Sequence, residues 1–174
     1  MQYLMRLCAD FNIKVPYLSR LASTRFDEDV EFRNINGANV PIKNGKLQGE
    51  AGFNILMGKE YTGYKGQAAI DKLLQEKQGH IKAAFYHDDI GDIDIFWGDE
   101  SAGICHIIEE RKRRGDNPQK LLKELPTIIE RGIVGENANF PGVRENIIYK
   151  GRIVIVAYEL RGHESSAILT AFRT

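Results

Sequence analysis

The feature that most limits the fold is the last third of the chain. Three runs of strand character, residues 146–150, 152–158 and 165–173, follow one another through the links Lys150-Gly151-Arg152 and residues 160–164. Parallel neighbours need a crossover of a dozen or more residues. Links this short favour an antiparallel meander. The rest of the chain must supply what covers it.

Upstream, Ile70, Leu73, Leu74 and Lys77 share one helical face that stops near Gly79. The strings AAFYHDD and GDIDIFWGDE read as two short strands around residues 88–91. In the second, Ile93, Ile95 and Trp97 alternate with Asp92, Asp94 and Phe96, the period of a half-buried strand. Ser101 is expected to cap a helix over residues 102–114 that ends at Gly115. Asp116 or Asn117 caps the next helix, Pro118 takes its first position, and it runs to about Arg131. Leu121, Leu122, Leu125, Ile128 and Ile129 form its apolar face, and Pro126 inside it should introduce a kink. Helices and an antiparallel sheet together give an α+β class.

The first 65 residues differ. Residues 1–23 carry a weak helical pattern broken at Pro16. Asn36-Gly37 and Asn44-Gly45 are signals for tight hairpin turns, because both central residues need positive φ. Residues 49–66 contain five glycines and read as a connection. The expected division is an N-terminal extension with hairpins, residues 1–65, and a second unit, residues 66–174.

Composition excludes several classes. The chain has 24 Lys and Arg against 24 Asp and Glu, so bulk positive charge cannot drive nucleic-acid binding; any basic face must be made by folding. No apolar run approaches the length of a membrane span, and the opening MQYLMRLCADF reads as too short and polar for a signal peptide. Cys8 and Cys105, far apart and without ligand neighbours, are expected as free thiols in a reducing, cytoplasmic compartment. Neither a cofactor nor a metal is expected. Asp92 and Asp94 could hold a cation at their spacing, but lack histidine partners and read as a solvated strand face.

One helix carries the candidate chemistry. In ICHIIEERKRRG, Ile104, Ile107, Ile108 and Arg111 fall on one face at 100° per residue. His106 falls nearly opposite, beside Glu109, Glu110 and Arg113. It therefore meets solvent or a cleft. There it is either a plain surface residue or a general acid or base, the work histidine does near neutral pH. Arg111 ends the apolar stripe, from which its long stem can snorkel or project into a site. Arg113 and Arg114 either complement the helix dipole or contact phosphate. A second cationic set, Arg144, Lys150, Arg152, Arg161 and Arg173, lies on or near the meander. Ser166, Ile168, Thr170 and Phe172 are expected on one side of the last strand. No phosphate-binding glycine loop or nucleophile elbow is present in the sequence.

The string GDIDIFWGDESAGICHIIEER, followed by a meander closing on AILTAF, resembles the barnase–EndoU–colicin–RelE-like nuclease domains of phage and mobile-element polyvalent proteins. The resemblance covers about residues 66–174. Residues 91–98 match its strand. Gly103, His106, Ile107, Ile108 and Glu109 match its helix, and Thr170 with Phe172 match its terminal motif. A second histidine often found five residues after the first is Arg111 here. The resemblance implies helices on one face of a small antiparallel sheet, with the other face left for RNA. It implies a metal-independent endoribonuclease in which a ribose 2′-OH attacks the adjacent phosphate. His106 is then the acid or base, Arg111, Lys150 and Arg152 stabilise phosphate charge, and Thr170 positions the phosphate. Arg113, Arg114, Arg144, Ser166 and Arg173 would bind RNA. The implied partners are RNA, with tRNA as a target by likeness to toxin relatives, and an immunity or antitoxin protein. The implied setting is the cytoplasm of a bacterial host or of a target cell. The alternative readings are a catalytically weak RNA- or protein-binding module, a structural phage protein, and a metal-dependent nuclease built on Asp92 and Asp94.

Overall fold

The computed structural model of the chain describes residues 30–35 and 38–174. The expected helix of residues 1–23, Cys8 and the Asn36-Gly37 turn lie outside them. Strands β1 (Val30–Ile35), β2 (Ala38–Lys43) and β3 (Lys46–Leu47) form a small antiparallel sheet. Asn44 and Gly45 both take positive φ, 51° and 72°, and join Lys43 to its partner Lys46, as an Asn-Gly hairpin requires. Residues 49–66 are not simply a connection. Helix α1 (Gly49–Met57) occupies their first half. Gly52 makes this possible, since a Cβ there would meet the Leu47 carbonyl oxygen at 1.8 Å.

The main sheet has six strands in the order β4-β5-β9-β8-β7-β6. These are β4 (His80–His87), β5 (Gly91–Phe96), β6 (Ile133–Glu136), β7 (Arg144–Tyr149), β8 (Arg152–Leu160) and β9 (His163–Arg173). The meander spans β6 to β9, one strand more than the alternation at its start revealed. Helices α2 (Gln67–Glu76), α3 (Ile104–Arg113) and α4 (Pro118–Arg131) cover one face. Ile70, Leu73, Ile104, Ile107, Leu121, Leu125, Ile128 and Ile129 bury there against Ile93, Ile95, Val154, Val156 and Ile168. Asn117 caps α4 by accepting the Lys120 N–H at 3.0 Å, and α4 runs through Pro126. The opposite face is not wholly free. Leu56 and Met57 of α1 cover Phe96, Ala157, Leu160, Ala167 and Leu169. Tyr61 and Tyr64 pack on the first cluster, so the segment before residue 66 contributes to both faces.

Two irregularities set the site. Strands β5 and β9 pair in parallel at a single position, Asp94 with Ala167, and α3 starts in the fork beyond it. The Gly103 N–H donates to the Leu169 carbonyl and the Cys105 N–H to the Trp97 carbonyl, so the helix start is bonded to both branches. Gly103 has φ 89°, and a Cβ would lie 2.7 Å from the Trp97 oxygen. Gly98 has φ 74°, and a Cβ would lie 1.9 Å from the Ala102 oxygen. Ser101 does not cap α3. It donates its N–H and hydroxyl to Asp99 in the loop before the helix, because the fork itself satisfies the helix N-terminus. The second irregularity is in β9. Ile168 pairs with Val156 and Thr170 with Ile155, leaving Leu169 as a bulge. A bulge reverses the facing of everything after it. Ile168 therefore faces the helices, whereas Thr170 opposes Ile155 of the second cluster. Ser166, Ile168, Thr170 and Phe172 do not share one side, as strict alternation would have it.

Candidate active site

Helix α3 sorts its side chains as its periodicity demands. Ile104, Ile107 and Arg111 are buried, and His106 is half-buried on the other flank. His106, Glu110, Arg111, Arg113 and Arg114 from α3, with Thr170 and Phe172 from β9, line one cleft of about 380 Å³. The bulge at Leu169 delivers Thr170 and Phe172 to it. Glu100, Glu109 and the same His106 line an adjoining recess.

The His106 Nδ1 lies 2.6 Å from the Glu100 carbonyl oxygen. A carbonyl can only accept, so Nδ1 carries the proton in the neutral ring and Nε2 keeps its lone pair. That is the tautomer a proton acceptor needs, fixed by the loop that Gly98 and Gly103 shape. Arg111 is only 4% exposed. Its nearest carboxylate oxygens are 3.4 Å away on Asp116 and 4.0 Å away on Glu110. Its guanidinium carbon sits 5.9 Å from the Phe172 ring centre, and its Nε has no partner among the described residues. A buried guanidinium so thinly paired retains donors for an anion. Arg113 and Arg114 are held by Glu110, the latter at 2.8 Å. The bond from Arg114 holds the Glu110 carboxyl below its ordinary value.

Other predicted residues fall elsewhere. Lys150 and Arg152 line a different cleft, with Lys123, Glu124, Thr127, Ile128 and Tyr149. Arg152 makes a two-pronged bond to Glu124, at 2.7 and 3.1 Å, and Arg173 approaches the same carboxylate at 3.9 Å. Arg144 stacks 3.7 Å from the Phe140 ring centre, and burial lowers its pKa. Arg161 donates to Asp99 at 2.8 Å. Ser166 is half-buried and borders neither cleft. Asp94 is not a solvated partner of Asp92. It accepts the Ala83 N–H at 2.8 Å and holds the irregularity of β4, where Ala83 has φ 49°. Burial raises its pKa above the usual carboxylate value. Among the described residues, no three His, Cys, Asp or Glu side chains gather into a metal-sized cluster. Cys105 is a free, half-buried thiol whose pKa burial raises. No helix among the described residues is long and apolar enough to cross a membrane.

Three residues that sequence reasoning left aside belong to these clefts. Glu110 organises the exposed arginines, a role its i,i+3 and i,i+4 spacing to Arg113 and Arg114 foreshadows. Lys123 and Thr127 lie one turn apart on the polar face of α4, a spacing equally visible in the sequence.

Fold and cleft together define an α+β domain with a histidine and an arginine cluster where a helix meets the terminal strand. Residues 84–174, more than half of the chain, match the family model described as phage-Barnase-EndoU-ColicinE5/D-RelE like nuclease 1. The chain belongs to this family and carries a nuclease domain. Comparisons with curated proteins and with solved structures give no match.

Proposed function

We propose that the chain is an endoribonuclease whose scissile phosphate binds between His106, Arg111 and Thr170, and which works without a metal ion. The observation that carries this reading is the buried, underpaired Arg111 guanidinium lining the same cleft as His106. His106 accepts a proton through Nε2 from a ribose 2′-OH. The freed oxygen attacks the adjacent phosphorus, the bond to the 5′-oxygen breaks, and a 2′,3′-cyclic phosphate forms as that oxygen takes up a proton from solvent water. Arginine does not exchange protons in a protein. Arg111 therefore supports the reaction through charge, stabilising the phosphorane where a second histidine would relay protons. Thr170 offers a hydroxyl to a non-bridging oxygen, and Arg113 with Arg114 steer the strand. The 2′-OH requirement restricts the substrate to RNA, and tRNA is the first substrate to try.

The test is incubation of the wild type and His106→Ala with total tRNA in excess chelator. Cleavage by the wild type alone, leaving cyclic phosphate ends, is the expected result. Cleavage that survives His106→Ala removes histidine from the mechanism. Folded protein that binds RNA without cutting it would make the chain a binding module.

A further inference from the structure

The cleft that takes Lys150 and Arg152 away from His106 has its own chemistry. It measures about 270 Å³ and lies between the polar face of α4 and the β7–β8 turn. Lys150 and Gly151 form that turn with φ 46° and 73°, and Tyr149 pairs with Arg152 across it. The Thr174 N–H and hydroxyl both donate to the Gly151 carbonyl, at 2.9 and 3.2 Å, fixing the turn from the β9 side. Among the described residues the only carboxylate lining the cleft is Glu124, and Arg152 engages both its oxygens. That leaves two lysines without a carboxylate. The Lys150 ammonium lies 5.3 Å from the Tyr149 ring centre. Lys123, exposed one turn before Thr127, has no ion pair among the described residues. Arg131 and Lys150 together lower the pKa of the Tyr149 hydroxyl, Arg131 by the stronger hydrogen bond. An aromatic ring, a hydroxyl and unneutralised ammonium groups around one hollow are the elements that hold a nucleotide by its phosphate and base.

The end of β9 lies between the two clefts. Phe172 lines the His106 cleft, and the next residue, Arg173, reaches Glu124 of this one. Successive side chains of a strand point to opposite faces, and their Cα atoms are about 3.8 Å apart. A single strand passing around this end can touch both.

We propose that Lys123, Thr127, Tyr149 and Lys150 form a second subsite that binds a phosphodiester and its base in the RNA strand, away from the phosphate being cut. The inference rests on RNA as the ligand of the His106 cleft, and its test does not need cleavage. The probe is a 2′-O-methyl oligonucleotide, which has no free 2′-OH and cannot be cut. Its affinity is measured against salt for the full chain and for the double variant Lys123→Gln/Lys150→Gln, with a thermal melt to show that both are folded. Each phosphate contact on a single strand contributes about 0.7 to the slope of log K against log salt. The variant should therefore bind more weakly and show a slope shallower by about 0.7, the share of the one phosphodiester the two lysines hold. In the wild type, the backbone amides of Thr127 and Lys150 should shift in NMR spectra as the oligonucleotide is added. An unchanged slope, or shifts confined to the His106 cleft, overturns the subsite while leaving the ribonuclease reading intact. Shifts at Thr127 and Lys150 with inorganic phosphate but not with the oligonucleotide overturn it in favour of a free-anion site. Binding as proposed with no cleavage by the wild type would retain the subsite and reject the ribonuclease.

Discussion

Replacing Arg111 by methionine should separate stability from function in opposite directions. The arginine is buried, its Nε is unpartnered among the described residues, and its contacts to Asp116 and Glu110 are 3.4 and 4.0 Å. Charge-assisted hydrogen bonds of good geometry are about 2.7–2.9 Å long. A buried polar group left unsatisfied costs about 1–3 kcal/mol, which methionine recovers while keeping an unbranched stem. Against this stand the pair with Asp116, whose side chain is 40% exposed, and the contact with Phe172. The first contributes at most about 1 kcal/mol and the second about 0.5 kcal/mol. The net expectation is a gain of about 0.5 kcal/mol, or a melting temperature higher by about 1–2 °C for a chain of this size. Cleavage should fall by about 100- to 1,000-fold, the usual loss when one preorganised donor to a developing oxyanion is removed. A thermal melt and a tRNA cleavage time course read the two effects. A melting temperature lowered by more than about 5 °C, with cleavage intact, would refute the reasoning and make Arg111 a structural ion.

Two further results are expected. Asp94→Ala should destabilise the fold by about 1–3 kcal/mol in urea unfolding, because it leaves the Ala83 N–H of the irregular β4 without its acceptor; an unchanged midpoint would mean that water replaces the carboxylate at no cost. The hydrogen bond from Arg152 lowers the Glu124 pKa in the folded state, so its stabilisation is present above the ordinary glutamate value, near 4.3, and is lost as pH falls through the lowered one. Glu124→Gln should therefore flatten the acid limb of the stability profile and leave its alkaline side unaltered in shape, which unfolding measured across pH would show.

Much of the helix that carries the site was legible because its signals are local. Ile104, Ile107 and Arg111 on one face, with His106 on the flank, follow from a rotation of 100° per residue, and the structure keeps that division. The start of the same helix was not legible. Ser101 looks like a cap by residue type, but the Leu169 carbonyl and the β5–β9 fork do that work from remote positions. The hairpin at Asn44-Gly45 was predictable from two residues, whereas α1 was not, since its glycines argue against a helix and its stability comes from the sheet face it covers. The family resemblance implies a place beside the cleaved phosphate for Lys150 and Arg152, as cations of the meander, and cationic type carries no address.

By itself, the sequence determined the α+β class, the meander, the two helices before it and the histidine-bearing motif, because periodicity, turn chemistry and capping act over a few residues. Only the tertiary structure decided which cations share a cleft with His106. One bulge at Leu169 puts Thr170 and Phe172 on the side of β9 opposite Ile168, where they line the His106 cleft, and the pairing of Arg152 with Glu124 holds that arginine in the other cleft. Both depend on contacts between residues distant in the chain, and strand alternation cannot count a residue that the ladder skips.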